Sequence, residues 1–229
     1  TSWNGVCKYL EKYFTCISYD LRGHGDSPKG FLPYSLEDLV DDLETLRQKL
    51  NIQKIHIVGH SLGGMIGPKY AKSFPDNVLS VSLLSTAAFR TKEDQSKVMA
   101  IVDSMNRKGI EPILNTLTDR WFTDQFIEES YDSVEFRLQQ VLETDPEVFL
   151  EVFRIYAETE MSPWLNQIKQ PCLVLTGEND GGCNPRLNKL IAESLTHSEL
   201  CILDKFKHSI LIEAPDLVGQ RVRDFLLNQ

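Results

Sequence analysis

Ile55-His56-Ile57-Val58-Gly59-His60-Ser61-Leu62-Gly63-Gly64 joins a short apolar run to a stretch, 61–73, whose pattern is mostly helical. A Gly-x-Ser-x-Gly sequence between a strand and a helix marks a sharp turn that exposes the serine at the end of the strand. So tight a bend requires small residues two before and two after the serine, at Gly59 and Gly63, and it leaves the Leu62 N–H facing an oxyanion. A serine hydroxyl is a weak nucleophile, so Ser61 needs a base, and the base needs an acid that orients it. If Ser61 points toward the pocket, strand alternation sends His60 away from it.

Outward from this turn, strand and helix patterns alternate. Segments 14–19, 54–58, 171–176 and 199–203 read as strands, as does Val78–Leu84. Segment 35–50 reads as an amphipathic helix with Ser35 as N-cap and Asp38 at the capping-box position. Segments 184–195 and 210–227 read as helices, the second with an early Pro215. Pro68 falls inside the helix after Ser61, where a missing N–H predicts a kink. The alternation predicts an α/β fold with a mostly parallel sheet flanked by helices. From 90 to 164 only helical patterns appear, around 93–107, 110–119, 124–140 and 146–158. The chain therefore divides into a core, 1–89 and 165–229, and an inserted helical cap, 90–164. The cap is rich in aromatics. Most of them pack it onto the body, and Trp121, Phe122 and Trp164 are the candidates for lining an apolar substrate pocket.

A chain of 229 residues suits one domain, or one domain with an insertion. Its 41% hydrophobic and 25% charged residues match an ordinary soluble globular protein. The net charge of −9 disfavours nucleic acid or an anionic membrane as partner. No apolar run approaches the ~18 residues of a membrane span, and no signal-peptide pattern opens the chain; a cytoplasmic location is the expectation. Cys7, Cys16, Cys172, Cys183 and Cys201 show no CxxC or metal-type spacing and read as reduced thiols. Cys183 follows Asp180 closely enough to sit near a site there, with nothing to make it a nucleophile. Neither a cofactor nor a metal is expected, and the partner is a small-molecule substrate.

Four stretches stand in a telling order: Tyr19-Asp-Leu-Arg-Gly-His-Gly-Asp-Ser27, Gly59-His-Ser-Leu-Gly-Gly64, Thr176-Gly-Glu-Asn-Asp180 and Lys207-His-Ser-Ile-Leu-Ile-Glu-Ala-Pro215. Together they resemble the α/β-hydrolase superfamily over essentially the whole chain, and within it most resemble small esterases and enol-lactonase-type hydrolases. In that superfamily the triad runs serine, acid, histidine along the chain. The resemblance implies Asp180 as the acid, with Glu178 and Asp204 as alternatives. It implies His208 as the base, because His197 lies in a solvated loop while His24, His56 and His60 precede the acid. Serine at the turn sets the chain apart from epoxide hydrolases and haloalkane dehalogenases, which place aspartate there. The function implied is hydrolysis of a small, largely apolar ester, thioester or lactone through an acyl-enzyme. An acyltransferase, a C–C bond hydrolase or a non-catalytic ligand receptor would carry the same triad. Members of the family take a second oxyanion N–H from a His-Gly loop after an early strand. No such loop occurs here, so the expectation is that the first strands and that donor are missing from this chain. A protein made of these residues alone is then expected to be poorly soluble and nearly inactive.

Overall fold

A capping box starts the helix after Ser35: the Ser35 hydroxyl accepts the Asp38 N–H, and the Asp38 carboxylate accepts the Ser35 N–H. The computed structural model describes residues 2–229. Its elements run α1 (Asn4–Leu10), α2 (Leu36–Lys49), β1 (Ile55–His60), α3 (Gly63–Ser73) and β2 (Val78–Leu84). Then follow α4 (Lys92–Lys108), α5 (Leu114–Trp121), α6 (Asp124–Glu129), α7 (Tyr131–Glu143) and α8 (Pro146–Glu158). The chain closes with β3 (Cys172–Gly177), α9 (Pro185–Ser194), β4 (Ser198–Leu203), α10 (Ile210–Glu213) and α11 (Pro215–Leu226).

Among the described residues the sheet is four-stranded and parallel, in the order β1-β2-β3-β4. His60 at the end of β1 pairs with Leu84 at the end of β2. Strand side chains alternate between the two faces. Val81, Leu83, Cys172 and Val174 meet Leu39 of α2 and Met65 and Ile66 of α3. Leu84, Leu173 and Leu175 meet Val6 and Leu10 of α1 and Val218, Val222 and Phe225 of α11. Burial on both faces is what a parallel sheet requires, and it explains the nearly continuous apolar runs of β2 and β3. The helices between β2 and β3 hold a cluster of their own, with Met105, Leu114, Leu117, Val141 and Phe149. Val148 and Ile155 of α8 join the main-body core instead.

Three local expectations are corrected. Segment 14–19 forms no strand. Its residue types favour extended chain, but a strand needs a ladder, and none of the described residues pairs with it; the Phe14 ring instead rests edge-on against His56, centroids 5.6 Å apart. The helix read over 124–140 is two, α6 and α7, because Ser130 leaves helical geometry at φ −136°, ψ 41°. The helix read over 210–227 breaks at Ala214, and Pro215 opens α11 at the position where its missing N–H costs nothing. Pro68 lies within α3, which continues to Ser73. No helix among the described residues is long and apolar enough to cross a membrane.

Candidate active site

Ser61 sits between β1 and α3 with φ 55°, in the left-handed region. A non-glycine residue held there costs on the order of 1–3 kcal/mol and persists only where its surroundings over-determine it. Here the Ser61 N–H donates to the Leu84 carbonyl at 2.9 Å, and the Thr86 hydroxyl donates to the Ser61 carbonyl at 3.0 Å. A Cβ on Gly59 would overlap the Gly63 carbonyl, and one on Gly64 would lie 2.6 Å from Thr86 Cβ. At Gly63 a Cβ would meet nothing within 4 Å. The turn thus presses Gly59 against the backbone of residue 63, and the second crowded position is Gly64, one residue beyond the expected one. Leu62 stands at the start of α3, where a helix leaves its first amides without intrahelical partners. Among the described residues Ser61 Oγ has no hydrogen-bond partner.

Asp180 is buried in the loop after β3. Its Oδ2 lies 2.7 Å from His208 Nδ1, and its Oδ1 accepts the amides of Gly182 at 3.0 Å and Cys183 at 2.8 Å. Burial alone would raise the Asp180 pKa. The charge and hydrogen bond of His208, with the two amides, outweigh burial and hold it below the ordinary carboxylate value. Burial likewise works against the His208 imidazolium, yet the Asp180 carboxylate wins and raises the His208 pKa above the ordinary histidine value. Of the other candidates, Glu178 accepts the Lys205 N–H, Asp204 is exposed, and His197 is exposed before β4.

His60 departs from expectation. Its Nε2 bonds the His208 carbonyl at 2.8 Å, its ring centroid is 4.9 Å from that of His208, and it lines the same cavity as Ser61. Alternation fails because the chain leaves strand geometry at Ser61. Burial, and then the nearby His208 charge, push the His60 pKa down to about 3. His24 lines the cavity as well, whereas His56 pairs with Ser80 Oγ at 2.8 Å.

Ser61, Leu62, Asp180 and His208 share a cavity of about 330 Å³ with Val98, Ile101, Leu117, Phe149 and Phe153 of the inserted helices. Such a size and lining suit a small ligand. Of the three aromatic candidates, Trp121 lines the cavity. Phe122 does not: it is wholly buried and stacks on Phe126 at 5.7 Å. Nor does Trp164, whose ring takes Lys69 and Lys72 at 5.8 and 5.4 Å against α3. Sequence reasoning missed Arg120 and Arg137, which also line the cavity; only three-dimensional packing brings them there. Cys183 is close to the pair, as its spacing suggested. The Tyr156 hydroxyl lies 3.0 Å from its sulfur. Potential ligand atoms of Asp180, Cys183 and His208 fall within 4.8 Å of one another, though the carboxylate and imidazole already satisfy each other.

Comparison with known proteins bears on this geometry. A relative, 3-oxoadipate enol-lactonase 2 of Acinetobacter baylyi, is 30% identical over 220 residues, spanning 96% of this chain and 81% of its own. Human monoacylglycerol lipase ABHD6 is 26% identical over 244 residues, spanning 98% of this chain and 71% of its own. Among solved structures, the enol-lactonase from Burkholderia xenovorans LB400 superimposes with a TM-score of 0.91 at 26% identity, covering 99% of this chain and 86% of that one. The relatives are hydrolases, and so is this protein. The family model for the alpha/beta hydrolase fold matches residues 1–215, and the chain belongs to that family.

Proposed function

We propose that this protein is a serine hydrolase that cleaves a small carboxylic ester, thioester or lactone. The observation that carries the reading is the 2.7 Å contact between Asp180 Oδ2 and His208 Nδ1, at the cavity where Ser61 holds its left-handed turn. Asp180 accepts a hydrogen bond from Nδ1–H, which leaves Nε2 free to act as a base. His208 takes the Ser61 proton as Oγ bonds to the substrate carbonyl carbon. The Leu62 N–H donates to the oxygen as it gains charge, and such a donor typically contributes roughly 100- to 1000-fold in rate. His208 then protonates the departing alkoxide or thiolate, and the acyl group stays on Ser61. Water, deprotonated by His208, breaks that acyl bond and returns the serine. His60 positions His208 by holding its carbonyl. Residues 90–164 serve as the cap that shapes the pocket, on a body formed by 1–89 and 165–229. The enol-lactonase and lipase relatives support hydrolysis of a carboxylic ester or lactone, and they differ enough in substrate that the pocket itself must specify the ligand.

A fluorophosphonate probe tests the reading. Labelling should occur at Ser61, vanish in Ser61→Ala, and slow by orders of magnitude in His208→Ala. Labelling at full rate without His208 would remove the base from the mechanism.

A further inference from the structure

The protein carries a net charge of −9, yet its catalytic cavity is lined by cations. Arg120 of α5 and Arg137 of α7 both reach it, and the carboxylate lining it, Asp180, is already engaged by His208 and two amides. Arg120 has no hydrogen-bond or ion-pair partner among the described residues, and a Cβ on Gly182 would stand 3.5 Å from its Nη2. Its guanidinium therefore rests against the loop that holds Asp180. Arg137 lies 5.7 Å from the Trp121 ring centroid, and its one polar contact is to Gln140 Oε1 at a long 3.5 Å. Burial pushes the Arg137 pKa below its ordinary value. Elsewhere Arg22 faces Asp42, Arg47 faces Glu44 and Arg154 faces Glu151, while the buried Arg90 is held by the Tyr156 and Thr159 carbonyls and by the Tyr156 ring. A part-buried cation is costly unless carbonyls, an aromatic face or a counter-charge compensate it. Among the described residues Arg120 has none of the three, while Arg137 has only the Trp121 ring and the long Gln140 contact. A forked guanidinium suits a carboxylate in particular.

We propose that the substrate carries a carboxylate besides the bond that is cut, and that Arg120 and Arg137 bind it. The ligand is then a short, largely apolar acyl chain or lactone ring ending in an anion: Val98, Leu117 and Phe153 cover the chain, and the arginines take its charged end. The assignment of the scissile bond rests on Ser61 as nucleophile; the anion site does not.

Two measurements keep those readings apart. The first is the ratio of kcat/KM for mono-4-nitrophenyl glutarate to that for 4-nitrophenyl hexanoate. It should exceed ten in the native protein and fall roughly 10- to 100-fold in Arg120→Gln/Arg137→Gln, the range of charge-assisted hydrogen bonds. Arg137→Lys, which keeps the charge, should recover part of the loss. The second is calorimetric binding of glutarate, against glutaramide, to Ser61→Ala. Glutarate should bind at least tenfold tighter, and that preference should disappear in the double arginine variant made on the same background. A native ratio near one, or a preference for glutarate that survives loss of both arginines, overturns the anion site. Glutarate binding together with fluorophosphonate labelling that persists in Ser61→Ala would leave the anion site standing and remove Ser61 as nucleophile.

Discussion

Gly59 and Gly63 flank Ser61 symmetrically in sequence and unequally in space. A methyl group on Gly59 runs into the Gly63 carbonyl, while one on Gly63 meets nothing within 4 Å. In urea denaturation, Gly59→Ala should therefore cost about 3 kcal/mol, and Gly63→Ala should stay within about 0.5 kcal/mol of the native protein. Equal costs would contradict the turn as drawn. His208 accepts a proton only when neutral, and Asp180 raises its pKa above the ordinary 6.5. The rate should therefore fall as pH drops, with a midpoint above 6.5. Asp180→Asn removes the largest attraction and leaves burial opposed only by Cys183, so the midpoint should move down while kcat drops roughly 10⁴-fold, as triads of this type do. That Ser61, Asp180 and His208 would share one cavity could be anticipated from sequence, because each sits in a short motif whose chain order is constrained. The presence of Arg120 and Arg137 there could not, since it depends on where two separate helices place them. The orientation of His60 was misread because strand alternation stops at the turn.

At the level of elements, the buried Glu44 ties α2 to α3, the helix that follows Ser61. It accepts Arg47 Nη2 at 2.8 Å, Gln48 Nε2 at 2.7 Å and the buried Tyr70 hydroxyl at 2.5 Å. Arg47 first, against the opposing effect of burial, and then Tyr70 and Gln48 lower the Glu44 pKa from 4.5 to about 2. Its folded pKa lies below the unfolded one. The stabilisation is thus complete above 4.5 and disappears as pH falls toward 2. Glu44→Ala should cost about 3 kcal/mol at neutral pH, because it strands Arg47 and Tyr70, and the deficit should shrink in acid. A cost that stayed constant down to pH 2 would place the stabilisation elsewhere. Helices with clear caps, such as α2 after Ser35 and α9 after Asn184, were readable to within a residue or two. Segment 14–19 was not, because strand propensity describes side chains whereas a strand also needs a neighbour. The α6–α7 break depends on the backbone of Ser130, which breaks no periodicity.

Across the whole molecule, the inserted helices share their core with the sheet. Val148 and Ile155 of α8 pack in one cluster with Ile57 and Val81, while Phe149, between them, belongs to the cluster of α4, α5 and α7. Loss of either body strips apolar cover from the other, so the two should unfold together. Urea transitions followed by tryptophan fluorescence, to which Trp121 and Trp164 in this region and Trp3 in α1's cluster contribute, and by far-UV circular dichroism should coincide; separated midpoints would make the insertion an independent unit. The connectivity has another consequence. On the proposed triad, the nucleophile precedes the inserted helices in the chain, and the acid and base both follow them. During synthesis, which proceeds from the N-terminus, Ser61 can be folded on β1 and β2 long before β3 and the His208 loop emerge. Until then the growing chain holds an inert serine, and on the proposed triad hydrolysis begins only when the segment carrying His208 docks, so turnover would report that β3 and the His208 loop have joined the sheet.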